Sequence, residues 1–243
     1  MKVDAIRVDL RPRPMFEACD LGVRIVSANL RSLWAGCAPV YAIVLLIAAA
    51  AMVFDAGWSM LTLFWLKPWL DRSILFVLAR AVFGEETRFT DVWAARRAIF
   101  AQGLLGSLTI RRLSPWRSYV QPVLQLEGQR GKARRDRIAR ILGSHRGAAL
   151  WMQSAFACAE AALAFGMTSL IPWFAPVEEG GHWLQVLMSE GAWVVGAELL
   201  SYAVAVAVVE PFFVGAGFAM YLNRRVELEA WDIEQEFRFA FAR

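Results

Sequence analysis

The chain has 243 residues, of which 58% are hydrophobic and 20% charged, so it is more apolar than a typical soluble domain. Its net charge of +4 does not by itself indicate a nucleic-acid partner, because membrane proteins concentrate basic residues where they meet anionic lipid headgroups. Three cysteines and two histidines without a CxxC or Cys/His cluster argue against a structural metal, and we expect no cofactor.

The distribution of Lys and Arg is the strongest pattern in the chain. All 26 lie outside residues 33–66 and 147–223, which together make up almost half of the protein. Cytoplasmic loops keep basic residues, whereas translocated loops lose them. The pattern predicts an all-α polytopic membrane protein with four transmembrane helices in two hairpins, both termini being cytoplasmic. A soluble protein with a buried core helix is the alternative.

This topology divides the chain into five regions. They are an N-terminal amphipathic helix at the membrane interface (1–32), a first transmembrane hairpin (33–70), a basic helical cytoplasmic region (71–146), a second transmembrane hairpin (147–223) and a C-terminal amphipathic acidic helix (224–243). In the first region, apolar residues recur at spacings of three and four, as on one face of a helix: Phe16, Cys19, Val23, Val26 and Leu30.

The first hairpin begins with 22 uncharged residues at 33–54, enough to cross ~30 Å of hydrocarbon as a helix. Asp55-Ala56-Gly57 predicts a turn, followed by a helix from about Trp58 to Leu70. We expect Lys67 to extend towards the headgroups. Because the segment is short for two crossings, a re-entrant hairpin is the competing interpretation of residues 57–70.

The cytoplasmic region is predicted to contain an interfacial helix at 73–83, another helix at 91–105 and an extended connection at 111–127, which contains two prolines. Residues 128–146 then carry seven basic residues and one acid. We expect six of these basic residues to contact either anionic lipid headgroups or the acidic tail. They are Arg130, Lys132, Arg134, Arg135, Arg137 and Arg140. A solvated charged face is the alternative, and the lack of interleaved aromatic residues argues against nucleic acid.

The second hairpin contains a helix within 147–174, an acidic external loop and an apolar stretch at 192–222, which is ~46 Å long as a helix. That stretch is expected to tilt, protrude or bend near Pro211. Gly215 and Gly217 are typical of close helix packing.

Three carboxylates fall inside these spans: Glu160, Glu198 and Glu210. An ionised carboxylate at bilayer depth is costly and usually faces protein or a water-filled cavity. Such residues can form a proton or cation relay, or they can be protonated and hydrogen-bonded as structural groups. Since no Lys or Arg lies within the basic-free stretches, we expect no basic partner for them.

The tail from 226 to 241 has a narrow apolar seam between acidic residues. We predict that the seam contacts a protein partner, with contact residues Val226, Trp231, Ile233, Phe237 and Phe241. A homo-oligomer is expected.

Four phrases carry a family resemblance: RPRPMFEACDLGVRIV, LKPWLDRSILFVLARAVFGE, RRLSPWRSYVQPVLQLEG and EPFFVGAGFAMYLNRRVELEAWDIEQEFR. They resemble uncharacterised bacterial inner-membrane proteins encoded near MoxR-type AAA ATPase gene clusters. The resemblance implies inner-membrane localisation and a cytoplasmic partner such as an AAA ATPase system. It implies no catalytic residue.

Enzyme signatures such as a nucleophile elbow, a glycine-rich phosphate loop or HExxH are absent from the sequence. We therefore predict a non-enzymatic, self-associating membrane scaffold or assembly component that presents a cytoplasmic face to partners. One alternative is a small ion or proton transporter that uses the intramembrane carboxylates. Another is a membrane-shaping protein whose interfacial helices act as wedges.

Overall fold

A computed structural model describes residues 11–100, 106, 109, 112, 114–174 and 191–229, and the elements within these ranges are helical. The all-α prediction is therefore confirmed. The α-helices are α1 (Met15–Ala28), α2 (Leu30–Ala51), α3 (Ala56–Ala81), α4 (Phe89–Ala94), α5 (Arg96–Phe100), α6 (Arg117–Gln125), α7 (Gly131–Leu142), α8 (Arg146–Thr168) and α9 (Ala192–Glu229). Short 3-10 turns follow α7 and α8, at Gly143–His145 and Ile171–Phe174.

Three helical stretches are long and apolar enough to cross a membrane: α2, the stretch Gly131–Phe174 that contains α8, and α9. This supports a membrane protein. Helix α3 has 26 residues, but Lys67, Asp71 and Arg72 interrupt its apolar character, and it is not among the three. A fourth crossing and the two-hairpin arrangement therefore remain proposals.

Helix α3 starts where the turn was predicted, because the Asp55 carboxylate caps it by accepting a hydrogen bond from the Gly57 N–H at 2.7 Å. It then continues without interruption to Ala81. The prediction of a separate interfacial helix at 73–83 is wrong, and the proposed boundary at residue 70 falls inside a helix. Arg72, which lies between the two predicted helices, is buried and donates hydrogen bonds to the carbonyls of Ile99 and Phe100 at 3.0 and 3.2 Å.

The connection at 111–127 was predicted to be extended, but residues Arg117–Gln125 form α6 with Pro122 inside it. Tyr119 and Val123 of this helix are fully buried. Packing of that buried face outweighs the helix-breaking tendency of the proline. Residues 91–105 were predicted as one helix. They instead contain the end of α4 and all of α5, and 101–105 lie outside the described residues.

Helix α9 lies at the centre of the fold, where it packs against α1, α3, α6 and α8. It has 38 residues, or ~57 Å of helix, and continues through Pro211 as one element. Glycines allow its closest contacts, as predicted. A Cβ added to Gly215 would overlap the Val26 side chain of α1, and one added to Gly217 would overlap Ser118 of α6. The core therefore depends on small residues along this helix.

Candidate functional site

Helices α3, α6, α8 and α9 bring five charged side chains into contact. We call them the charge cluster: Lys67, Asp71, Arg117, Glu160 and Glu210. The Lys67 Nζ atom lies 2.5 Å from Oε2 of Glu160 and 2.5 Å from Oε2 of Glu210. Arg117 places Nη2 2.7 Å from Oε1 of Glu210 and Nε 3.2 Å from Oδ2 of Asp71. These contacts connect the five side chains in one series, in the order Glu160, Lys67, Glu210, Arg117 and Asp71.

The charge cluster is largely removed from solvent. Lys67 is 4% exposed, and Asp71 and Glu210 are each 1% exposed. Buried charges are tolerated only when they are paired, because removing an ion from water costs several kcal/mol. Burial disfavours the charge of Arg117, but the carboxylates of Asp71 and Glu210 outweigh burial and raise its pKa. Arg117 is therefore a permanent cation.

Two of the carboxyl groups share one cation, because Arg117 contacts both Asp71 and Glu210. In total, three carboxyl groups face two cations, Lys67 and Arg117. A buried charge without a counter-charge is costly, so charge balance favours a proton on one of the three carboxyl groups. The cluster thus has a place for one exchangeable proton.

A cavity of about 260 Å³ adjoins the cluster, and we call it the cluster cavity. Lys67, Arg117, Glu160 and Glu210 all reach it. So does Arg112, whose guanidinium donates two hydrogen bonds to the Phe64 carbonyl, at 2.7 and 3.2 Å, and lies 3.9 Å from the centre of the Phe64 ring. Aromatic side chains form much of the remaining wall: Phe64, Phe156, Tyr202 and Phe213. The space is large enough for several water molecules.

The structure brings together two of the three carboxylates singled out in the sequence. Glu160 and Glu210 both contact Lys67, whereas Glu198 precedes Glu210 by ~18 Å along α9 and is not part of the cluster. The expectation that the carboxylates lack a basic partner is wrong, as is the expectation that Lys67 extends to the headgroups. Lys67 lies in the middle of α3, far from the helix end that would reach the headgroups, and it pairs there with carboxylates of two other helices.

Asp71 and Arg117 were not identified from the sequence. Asp71 lies just after the predicted end of the second span at Leu70, and Arg117 lies in the segment predicted as extended. The one available signal was indirect, since two carboxylates within apolar helices require counter-charges. Nothing in the local sequence indicated which basic residues would supply them.

The basic segment forms α7, which has an exposed and a buried side. Arg130 precedes the helix and is exposed, as are Lys132, Arg135 and Arg140, while Arg134 and Arg137 are half-buried. Arg137 places Nη2 2.8 Å from Oε1 of Glu127 and also pairs with Glu229 at the end of α9. These ion pairs join α7 to the end of the central helix.

The predicted partner-contact residues fall into two groups. Val226 is 1% exposed, so it belongs to the core of α9 and is not available to a partner in this arrangement. The first residue of the predicted seam therefore packs within the chain. The other members lie outside the described residues: Trp231, Ile233, Phe237 and Phe241.

Within the described part of the chain, no group of three or more His, Cys, Asp and Glu side chains is placed to hold a metal ion. No protein-family model, curated protein or solved structure matches this sequence. The resemblance to inner-membrane proteins encoded near MoxR-type ATPases therefore stays a prediction. The charge cluster is the feature from which a function can be inferred.

Proposed function

We propose that this protein is an integral membrane protein that transfers protons through the charge cluster. The observation that carries the proposal is the series of titratable groups Glu160, Lys67 and Glu210, which Arg117 extends to Asp71. Carboxyl and ammonium groups can each release and accept a proton, and Lys67 lies within hydrogen-bonding distance of both Glu160 and Glu210. Glu160 and Glu210 belong to two of the helices that are long enough to span a membrane.

A cavity adjoins each end of this series. Glu160 reaches the cluster cavity, and Asp71 reaches a second cavity of about 270 Å³ between α3, α6 and α7. Arg117 borders both cavities, and its guanidinium holds Asp71 and Glu210 close together. Water in the two cavities could deliver a proton to one end of the series and accept it from the other.

The charge of the cluster cavity favours protons over metal cations. Its wall contains three cationic side chains, Lys67, Arg112 and Arg117, but only two carboxylates. A net positive wall repels sodium and potassium ions and lowers their local concentration. A proton can instead pass along hydrogen bonds without an unpaired cation occupying the cavity.

The test is proton flux into liposomes that contain the purified protein and a pH-sensitive dye, driven by a potassium diffusion potential. We expect Glu160→Gln and Glu210→Gln each to reduce the flux at least about tenfold, because an amide cannot accept the proton. Glu198→Gln is the matched control, since it makes the same change on α9 outside the cluster.

A loss of flux is interpreted only for variants that elute from a size-exclusion column at the same volume as the parent protein, because such variants are folded and assembled. Glu160 is the more tolerant position, because its side chain is 15% exposed whereas that of Glu210 is 2% exposed. Absence of flux in the parent protein, or equal flux in Glu160→Gln and Glu198→Gln, contradicts proton transfer.

A scaffold or assembly role is the second candidate, and the exposed basic side of α7 supports it. Lys132, Arg135 and Arg140 point away from the core and fit an acidic partner. Because Val226 is part of the core, a deletion that tests the tail should remove only residues 230–243. The scaffold proposal expects this deletion to reduce the oligomer size measured by light scattering in detergent, and an unchanged size contradicts it.

A further inference from the structure

Arg112 is a buried cation of the cluster cavity that is held in place by the backbone. Its Nε and Nη2 atoms donate hydrogen bonds to the Phe64 carbonyl of α3, at 3.2 and 2.7 Å, and its guanidinium stacks on the Phe64 ring. That carbonyl is free to accept them because Pro68, four residues further along α3, has no N–H with which to continue the helical hydrogen bonding. Since Arg112 is only 6% exposed, the fold fixes a positive charge at this point of the cavity.

Arg112 differs in its partners from the other two cations of the cavity. Lys67 and Arg117 are both paired with carboxylates of the charge cluster. In the described part of the chain, Arg112 forms no such ion pair, and its two bonds to the Phe64 carbonyl do not use Nη1. A buried charge is costly without a counter-charge, so Arg112 favours an anion in the cavity.

The protonation of the charge cluster determines whether that anion is needed. When all three carboxyl groups of the cluster are ionised, their charges equal those of Lys67, Arg112 and Arg117. When one carboxyl group takes up a proton, the remaining two carboxylates balance Lys67 and Arg117, and the charge of Arg112 is left over. An anion next to Arg112 makes this protonated state neutral, so each of the two ligands should favour binding of the other.

We propose that the cluster cavity binds one small monovalent anion at Arg112, together with the exchangeable proton of the charge cluster. The cavity of about 260 Å³ has room for such an anion and for water molecules beside it. Tyr202 and Gln153 also line the cavity, and their hydroxyl and amide groups can donate further hydrogen bonds. The anion site depends on this geometry alone, whereas its coupling to the proton rests on the proposed function.

Chloride is the probe, and gluconate is the large reference anion. Binding is measured on the purified full chain in a neutral detergent, as the rise in melting temperature when sodium chloride replaces sodium gluconate at constant ionic strength. We expect chloride to stabilise the protein, with an apparent affinity about tenfold higher at about pH 5 than at about pH 8, because the proton leaves the positive charge that chloride balances.

Two arginine variants test the position of the site. Arg112→Gln removes the cation and should weaken chloride binding at least about tenfold, as expected for the loss of a charged hydrogen bond. Arg112→Lys keeps the charge and should retain part of the affinity. Arg135→Gln, which changes an exposed arginine of α7, is the control and should leave binding unchanged.

A second pair of variants covers the case in which Arg112→Gln fails to fold. Ala157 lines the cavity from the exposed side of α8, whereas Ala155 is exposed on the same helix and does not line it. Ala157→Phe should reduce chloride binding by occupying part of the cavity, and Ala155→Phe should not.

An affinity for chloride that does not change with pH overturns the proposal, as does an affinity that Arg112→Gln retains in full. Equal binding by Ala157→Phe and Ala155→Phe also contradicts it. Proton flux into liposomes is the independent measurement. Flux in a protein that does not bind chloride contradicts the anion site alone, and chloride binding without flux contradicts proton transfer alone.

Discussion

Lys67 is the basic residue on which two buried carboxylates depend. Its ammonium group lies 2.5 Å from both Glu160 and Glu210, and only 4% of the residue is exposed. At such burial the attraction between opposite charges is strong, but so is the cost of an unpaired charge. The two contacts therefore link α3 to α8 and α9 at a single point.

Replacing Lys67 tests this dependence. Lys67→Met leaves Glu160 and Glu210 without their shared cation, so we expect a loss of about 3–5 kcal/mol in the free energy of unfolding. The melting temperature in detergent should fall clearly. Lys132→Met, an exposed lysine of α7, is the control and should change it little.

A compensating variant separates charge loss from poor packing. In Lys67→Met with Glu160→Gln and Glu210→Gln, no unpaired carboxylate is left next to the missing lysine, and stability should recover in part because neutral replacements of buried ion pairs are often tolerated. A single Lys67→Met variant as stable as Lys132→Met contradicts the assignment of Lys67 as the shared partner.

The residues of the site could be predicted only in part. Glu160 and Glu210 stand out because they are carboxylates within apolar helices. Their partners do not stand out, since Lys67 and Arg117 are each 93 residues from a carboxylate that they contact. Pairing at such separations depends on how the helices pack, and neither periodicity nor charge distribution encodes that packing in one sequence.

At the scale of elements, the backbones of α1 and α9 approach each other closely where the two helices cross. A Cβ on Gly22 would overlap the carbonyl oxygen of Gly215. A side chain at either position would force the helices apart and remove packing over their whole contact. Glycine is therefore required here for space.

The pair Gly215→Ala and Gly196→Ala tests that requirement on one helix. Gly215→Ala should destabilise the protein by about 1–3 kcal/mol through overpacking. Gly196 has open space around it, so alanine there should be neutral or should stabilise α9 by up to about 1 kcal/mol, because alanine favours helix. The measurement is the melting temperature in detergent, and equal shifts in the two variants contradict a tight crossing.

Elements with a strong local signal were predicted well. The apolar runs of α2, α8 and α9 and the amphipathic spacing of α1 each indicate a helix without reference to the rest of the chain. The face that α1 buries is offset from the predicted seam, since Phe16 is 59% exposed whereas Met15 and Ala18 are buried. Helix α6 and the continuity of α3 through Asp71-Arg72 were missed for a common reason. Both contain residues that usually end helices or face water, namely Pro122 in α6 and Asp71-Arg72 in α3, and both are stabilised by burial against other helices.

For the whole molecule, the turn between α2 and α3 determines how many times the chain crosses the membrane. Val53 and Phe54 at this turn are 86% and 84% exposed. If α2 and α3 both cross, these residues reach the external surface. If the hairpin is re-entrant, they remain in the hydrocarbon, where apolar side chains are more stable than in water.

Cysteine labelling distinguishes the two arrangements. In a background with Cys19, Cys37 and Cys158 replaced by Ser, we expect Phe54→Cys to react with a membrane-impermeant maleimide added to intact cells. Arg135→Cys, in the basic cytoplasmic region, should react only after the membrane is permeabilised. Failure of Phe54→Cys to react before or after permeabilisation supports the re-entrant hairpin, and reaction of Arg135→Cys in intact cells contradicts the proposed orientation.

The central position of α9 has a consequence for biogenesis. Ribosomes synthesise α1, α3, α6 and α8 before the helix against which all four pack. Until that last helix enters the bilayer, Glu210 is missing, and Lys67 and Arg117 each lack one of their carboxylate partners. We therefore expect a chain that lacks α9 to be loosely assembled, and a messenger truncated before residue 192 should yield a product that quality-control proteases remove rapidly.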